Sequence, residues 1–364
     1  MIKKSLRITF VLPSEGTAPC GGFKVVYEYA NELSRRGHIV TVVHPAFILG
    51  NANPVRYVKR TVRMIHRTFD RSFRPDTWFN IRPNVQLVWR PSLHAAFMPD
   101  GDVVIATSWR TASPVSGFPA SKGRKFYLIQ HQEIWDGSEE KVMATWRMPL
   151  NKIVIARWLQ EIAQGMNEVS TYIPNGLNFQ AFGLNDDPAK RSPNRVMMLY
   201  HEQAWKGSAD GLEAMRLARE RIPGLEADLF GIHQEPVGLP PWIRYHRNPA
   251  QDRLCELYNK AAIFLAPSWT EGWPLPPAEA MMCGAAVVAT SIGGHKEYCI
   301  PGRTALLSPP QDPGNLAQNL ILLLQDNQLR IQIARAGNDY IRQFTWSRAA
   351  DKFEATLLQH YGVN

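Results

Sequence analysis

Two glutamates, Glu271 and Glu279, have seven residues between them in a stretch that reads Ser-Trp-Thr-Glu-Gly-Trp-Pro-Leu-Pro-Pro-Ala-Glu-Ala-Met-Met-Cys-Gly over 268–284. An apolar run at 262–266 precedes it, short and well bounded enough for a buried parallel strand. Pro274, Pro276 and Pro277 then cluster where a helix would start, and proline is tolerated there because its missing N–H has no helical partner. Gly284 closes that helix, and 287–289 begins the next strand. Glu271 is thus predicted in a loop at the carboxyl end of a strand, and Glu279 in the first turn of the following helix. Ligands bind at that edge of open α/β sheets. The helix start is electropositive, and since the prolines have no N–H, the donors there are those of Gly272, Trp273, Leu275 and Ala278. Carboxylates flanking an anion-binding turn suit a ligand with hydroxyls at both ends and phosphate between them. A nucleotide sugar has that layout.

The elements that must position these groups follow from pattern. At 364 residues the chain is expected to hold two domains, because a single core rarely grows beyond roughly 250–300 residues. Residues 6–12 read as a first buried strand, followed by a loop over 13–22 ending in Cys20-Gly21-Gly22. A helix is expected over 23–36, apolar on Val26, Tyr29, Ala30 and Leu33, and a strand over 39–44. Strand, glycine loop, helix and strand open a dinucleotide-type half. Gly21 and Gly22 let backbone N–H groups approach a phosphate, or else form a plain tight turn. Further strands are expected at 102–106, 125–130 and 152–156, with His131 just past the second. The Pro-Asn-Gly turn at 174–176 marks a crossing into a second domain. That domain opens with a strand at 195–200 and a loop from His201 to Lys206-Gly207. A helix at 208–221, a strand at 225–231 and a helix at 251–260 lead to the glutamate loop. One helix is expected over 316–340 and a last one from 345 to about 360.

Charge and cysteine usage narrow the class. A net charge of +9 points to an anionic partner without naming it. Cys20, Cys255, Cys283 and Cys299 have no metal-ligand or disulfide-framework spacing, and reduced, cytoplasmic thiols are expected. No run approaches about 18 apolar residues, and the run at 8–12 is too short for a signal peptide. Residues 54–75 form an amphipathic pattern: Val58, Val62, Ile65 and Phe69 on one stripe, Arg56, Arg60, Arg63, Arg67, Arg71 and Arg74 opposite. Such a helix can lie on an anionic membrane, or contact an anionic acceptor, or pack on its own domain with its arginines solvated.

The chain resembles family-4 retaining glycosyltransferases of the two-domain GT-B fold. The resemblance rests on Glu271 and Glu279 in their proline-rich setting, on Ile-Gly-Gly-His-Lys-Glu at 292–297, on Gly-Arg-Thr-Ala-Leu-Leu at 302–307 and on Phe-Thr-Trp at 344–346. Ile-Pro-Asn-Gly-Leu-Asn at 173–178 and Lys206-Gly207 stand upstream in the family's order. It implies two Rossmann-like parallel-sheet domains facing a central cleft: an acceptor domain over 1–172, with helix 345–364 packing back on it, and a nucleotide-sugar domain over 173–344. By resemblance Glu271 contacts the donor sugar, Glu279 holds the ribose hydroxyls, Lys206 meets the diphosphate, and His131 lies near the donor sugar. Gly294 turns close to the sugar, and Gly21-Gly22 serves as the family's first phosphate loop. Where the family places an Arg five residues before the Lys, this chain has His201, which would contribute when protonated or be replaced by a cation such as Arg247.

The reaction implied is transfer with retention from a nucleoside diphosphate sugar to a hydroxyl of a glycan or lipid-linked acceptor. The donor is substrate, and no cofactor is expected. No metal is expected either, since Asp186-Asp187 sits in a polar loop and no Asp-x-Asp lies between apolar residues. The expected location is cytoplasmic, or peripheral on the inner face of the membrane through 54–75, with no nucleic acid as partner. Two other classes remain open: a nucleotide-sugar epimerase of the same fold, and a non-catalytic basic binding module.

Overall fold

A computed structural model describes residues 5–47, 62 and 64–361. The chain divides into two compact units, Met1–Gly176 with Trp346–Asn364, and Leu177–Thr345.

In the first unit the elements are β1 (Arg7–Val11), α1 (Gly21–Arg35), β2 (Ile39–Phe47), α2 (64–70), β3 (Gln86–Ser92), β4 (Val103–Ala106), α3 (Trp109–Ser116), β5 (Arg124–Ile129), α4 (Glu139–Trp146), β6 (Asn151–Val154), α5 (Arg157–Gly165) and β7 (Ser170–Tyr172). All seven strands run parallel in the order β3-β2-β1-β4-β5-β6-β7. A parallel sheet is covered on both faces, and β1 shows it: Ile8, Thr9, Phe10 and Val11 are all buried, side chains of both faces alike.

The second unit contains β8 (Arg195–Leu199), α6 (Ser208–Arg221), β9 (Glu226–Gly231), β10 (Ile243–Arg247), α7 (Gln251–Lys260), β11 (Ile263–Ala266), α8 (Leu275–Met282), β12 (Ala286–Thr290), α9 (Gly293–Lys296), β13 (Ala305–Ser308), α10 (Pro313–Gln325) and α11 (Asn327–Ile341). Its six parallel strands are ordered β10-β9-β8-β11-β12-β13. Val196, Met198, Leu229, Leu265 and Val288 from the sheet pack with Ala214, Met215, Leu316, Leu320 and Ile333 from the helices in one core. Each such side chain contributes about 1.5–3 kcal/mol on burial.

Helix α12 (Trp346–Tyr361) returns to the first unit. Phe353 stacks on Tyr29 at 4.3 Å and lies 6.1 Å from Phe10. Arg36, at the end of α1, donates to Asp351 and Glu354, and His38 lies 3.0 Å from the other Glu354 oxygen.

Three expectations are corrected. The single helix over 316–340 is two, because Asp326 leaves helical geometry and its carboxylate accepts from the N–H of Leu329, capping α11. Gly21 and Gly22 are the first residues of α1, with Cys20 as the N-cap, and do not sit in a loop before it. The helix expected to reach residue 75 ends at Asp70, whose carboxylate accepts from the N–H of Ser72, while Arg71 turns to φ +57. Val58, Arg56, Arg60 and Arg63 lie outside the described residues. β3, β7, β10 and β13 are not among the strands expected from the sequence; β7 is only Ser-Thr-Tyr and β10 is Ile-Arg-Tyr-His-Arg.

Candidate active site

In the second sheet the strand order reverses between β8 and β11, which are hydrogen-bonded neighbours. The loops leaving these two strands meet there, at the carboxyl edge where open α/β sheets bind ligands, and the Trp269 N–H donates to the Trp205 carbonyl across them at 2.8 Å. One carries Lys206 and the other Glu271, and the Lys206 Nζ meets Glu271 Oε1 at 2.7 Å. Local backbone explains how Lys206 arrives. Residues Ala204–Lys206 form a 3-10 turn that Gly207 closes at φ +67, where a Cβ would stand 2.1 Å from the Pro267 carbonyl oxygen. Only glycine fits that position, so Lys206 is set by the turn. Its ammonium also lies 4.3 Å from the centre of the Trp205 ring.

Glu271 is held from several sides. The Ser268 hydroxyl donates to Oε1 at 2.9 Å, and Gly294 comes so close that a Cβ there would lie 2.4 Å from the Glu271 carbonyl oxygen. Burial alone would push the Glu271 carboxyl up, but the Lys206 ammonium, by charge and hydrogen bond, and the Ser268 hydroxyl hold it below the usual glutamate range. His295 is buried, with Nδ1 2.9 Å from the Thr290 carbonyl oxygen. A carbonyl only accepts, so Nδ1 carries the proton, and burial pulls this ring's pKa down to about 4. It stands beside the ion pair as a neutral group.

Glu279 is the fifth residue of α8, beyond its first turn, so the expectation of a first-turn position is corrected. The reason is that the helix begins at Leu275, with Pro276 and Pro277 already inside it. Glu279 is buried, and its Oε2 accepts from the Tyr258 hydroxyl at 3.2 Å. The start of α8 is fixed by the Tyr298 hydroxyl, which donates to the Pro274 carbonyl at 2.6 Å. Its end is fixed by the buried guanidinium of Arg191, which donates to the carbonyls of Cys283 and Ala261, at the ends of α8 and α7. Gly272 and Leu275 lie at the helix entry; Trp273 packs inward, 4.8 Å from Tyr298 and 5.6 Å from Phe344. Gly284 ends the helix at φ +81.

His201 follows β8, and its Nδ1 accepts from the N–H of Gln203 at 3.1 Å. Burial, then the nearby charge of Lys206, lowers its pKa to about 4. The expectation that it contributes in protonated form is therefore corrected: at neutral pH it offers a neutral ring. Its neighbour is His233, edge-to-face at 4.7 Å. Arg247, the other expected cation, ends β10, two strands from β8.

Three expected site residues belong to the first unit. Gly21 and Gly22 place N–H groups in the first turn of α1, after β1. Neither has positive φ, and a Cβ at Gly21 would meet nothing within 4 Å, so the backbone there does not require glycine. His131 follows β5, and its Nδ1 accepts from the N–H groups of Gln132 and Glu133 at 2.8 and 3.4 Å, which leaves the proton of a neutral ring on Nε2. Ser268, His295, Tyr258, Trp205 and Arg191 were not singled out in the sequence. Only His295 and Ser268 carried a signal, since both lie inside the quoted motifs. Among the described residues no group of three or more His, Cys, Asp or Glu side chains is placed to hold a metal ion.

Residues 198–326 match the family model for glycosyl transferases group 1. The chain is 24% identical to the phosphatidyl-myo-inositol mannosyltransferase of Mycobacterium tuberculosis, over 95% of each protein. It is 31% identical to the D-inositol 3-phosphate glycosyltransferase of Corynebacterium diphtheriae over 33% of this chain and 28% of that one. Among solved structures it is similar to sucrose-phosphate synthase from Thermosynechococcus elongatus, with a TM-score of 0.73 at 16% identity, covering 98% of this chain and 100% of the other. Anabaena Alr3699/HepE in complex with UDP-glucose gives a TM-score of 0.72 at 15% identity over 97% and 100%. The fold is that of GT-B glycosyltransferases, two parallel-sheet α/β units. The sequence relatives support a glycosyltransferase of the group 1 type.

Proposed function

We propose that this chain is a retaining, metal-independent glycosyltransferase that moves a sugar from a nucleoside diphosphate to a hydroxyl of a glycan or lipid-linked acceptor. The observation that carries the reading is the Lys206–Glu271 ion pair at the strand reversal of the second sheet, beside the start of α8. A diphosphate arriving there competes with Glu271 for the ammonium. Lys206 and the N–H groups of Gly272 and Leu275 then hold the charge that grows on the β-phosphate as the bond to the sugar breaks. Glu271, kept ionised, accepts hydroxyls of the sugar, and Glu279 accepts those of the ribose, with Tyr258 fixing its carboxylate. His131 donates from Nε2 to the sugar. Gly21 and Gly22 offer N–H groups to phosphate, a use their backbone leaves open. Gly294 seats the Glu271 loop. The acceptor oxygen bonds to the anomeric carbon on the face the diphosphate leaves, and a leaving phosphate oxygen takes its proton.

The neutral His201 supplies hydrogen bonding where a fixed cation is expected, so phosphate binding rests mainly on Lys206. The UDP-glucose complex of a structural neighbour and the mannosyltransferase named for a phosphatidyl-inositol acceptor support the donor and lipid-linked acceptor classes. No helix among the described residues is long and apolar enough to cross a membrane. Exposed apolar side chains at Val62 and, on α2, at Ile65 and Phe69, the last 84% exposed, support peripheral association with a bilayer.

A thermal-shift screen against nucleoside diphosphates and their sugars tests the reading. At least one nucleoside diphosphate should raise the melting temperature, and Glu279→Ala should weaken its binding about tenfold, roughly 1.4 kcal/mol, by calorimetry. No stabilisation by any of them rejects the proposal.

A further inference from the structure

At the carboxyl edge of the first sheet, His131 and Trp135 in the loop after β5 form a cluster with Trp158 in the first turn of α5, and Trp109 opens α3 after β4. Trp135 stands edge-to-face with His131 at 4.3 Å, and His131 stands edge-to-face with Trp158 at 5.3 Å. Trp135 nonetheless stays 44% exposed, and Ile134 beside it 43%. Beside them Arg110 donates to both Asp136 carboxylate oxygens, at 2.6 and 2.7 Å, and the Trp109 indole N–H donates to one of them at 3.3 Å. The loop presenting Trp135 is fixed. Glu133, at φ +56, accepts the Trp109 N–H at 2.7 Å, and Gly137 lets the Trp109 ring lie where a Cβ would come within 2.7 Å of it.

We propose that Trp135, with the Arg110–Asp136 pair, forms a subsite for a neutral sugar ring of the acceptor. The chemistry of the patch selects that occupant. A pyranose offers an apolar C–H face to an aromatic ring and a rim of hydroxyls that both donate and accept. Trp135 supplies the ring, Asp136 the acceptor oxygens and Arg110 the donors. The charges of Arg110 and Asp136 cancel at contact distance, so the patch has no net charge to draw a phosphate, despite the chain's overall +9. A fixed loop limits the ordering cost of binding. The subsite rests on the glycosyltransferase reading and adds to it a sugar, rather than a phosphate or acyl chain, as a recognised part of the acceptor.

The test uses the full chain labelled with 5-fluorotryptophan, the Trp135 resonance being the one absent from Trp135→Phe. Methyl α-mannoside, methyl β-glucoside and methyl α-galactoside are titrated separately, with inorganic phosphate at equal concentration as a fourth probe. At least one glycoside should shift the Trp135 resonance saturably, and phosphate should not. By calorimetry, which needs no reporter at position 135, Trp135→Ala should raise the half-saturating glycoside concentration about tenfold over wild type, and Trp135→Phe should keep it within about threefold. Both variants should bind the nucleoside diphosphate found in the screen as wild type does. A Trp135 resonance unmoved by all three glycosides, or moved equally by phosphate, overturns the subsite. Failure of the glycosyltransferase reading registers separately, as absence of nucleoside diphosphate binding in the wild-type protein.

Discussion

The chemistry at the level of single residues is a matter of which groups keep their charge. Lys206 holds the Glu271 carboxyl ionised, and the two histidines nearest them are neutral. Lys206→Ala should lower kcat on the order of 10²–10³-fold, the loss seen when one fixed donor to developing charge is removed. A smaller effect in steady-state assays places the phosphate elsewhere. His201 and His295, both lowered to about 4, should keep neutral-form ring carbon shifts down to pH 5, and a midpoint above 6 refutes the burial argument. The sign for stability follows. Their folded pKa lies below the unfolded one, so the unfolded chain binds the proton first and each lowers stability as pH falls from about 6.5 toward 4. Glu28 and Glu133, both raised to about 7 by burial, act oppositely: the folded state keeps their protons, and that contribution is lost as pH rises through 7.

Among elements, α8 and its surroundings matter most, because one helix start must be exact in position while carrying two internal prolines. Its entry is held by Tyr298 and its exit by Arg191, so the helix is anchored at both ends by side chains from elsewhere in the unit. The loop before it depends on α9. Gly294→Ala places a Cβ against the Glu271 backbone, which cannot give as a flexible side chain would. It should cost about 1–3 kcal/mol in urea denaturation and reduce turnover more than tenfold. Unchanged stability would mean the loop yields freely. Helix α2 poses a different problem. Its apolar residues Ile65 and Phe69 stand exposed, while Arg67 pairs with Glu15 at 2.6 Å. Ile65→Ser with Phe69→Ser should therefore leave the melting temperature within a few degrees and reduce co-sedimentation with phosphatidylglycerol vesicles at least fivefold. Undiminished co-sedimentation removes α2 from membrane binding.

At the scale of the molecule, the first unit is closed by the last stretch of chain. Phe353 fills space against Phe10 and Tyr29, and Arg36 is largely buried against Asp351 and Glu354. Ending the chain at Thr345 strips that packing and leaves the Arg36 guanidinium without these carboxylates, a loss of several kcal/mol. Such a chain should lose the cooperative unfolding of the first unit by calorimetry while α6 to α11 keep theirs. Retention of both transitions would show that α12 is dispensable.

The sequence alone determined the parallel α/β class, most central strands and the loop position of Glu271, because buried parallel strands are unbroken apolar runs and prolines mark helix starts. It also marked Gly284 as the end of α8. It did not determine the short edge strands β7 and β10, which are polar and exist only because a neighbour pairs with them. Nor did it separate α10 from α11, since a single Asp cap interrupts an otherwise continuous helical pattern. The pairing of Lys206 with Glu271, 65 positions apart, and the neutral state of His201 were decided by tertiary structure. Proximity across a strand reversal and loss of water are properties of the packed unit, and no local stretch of residues encodes either.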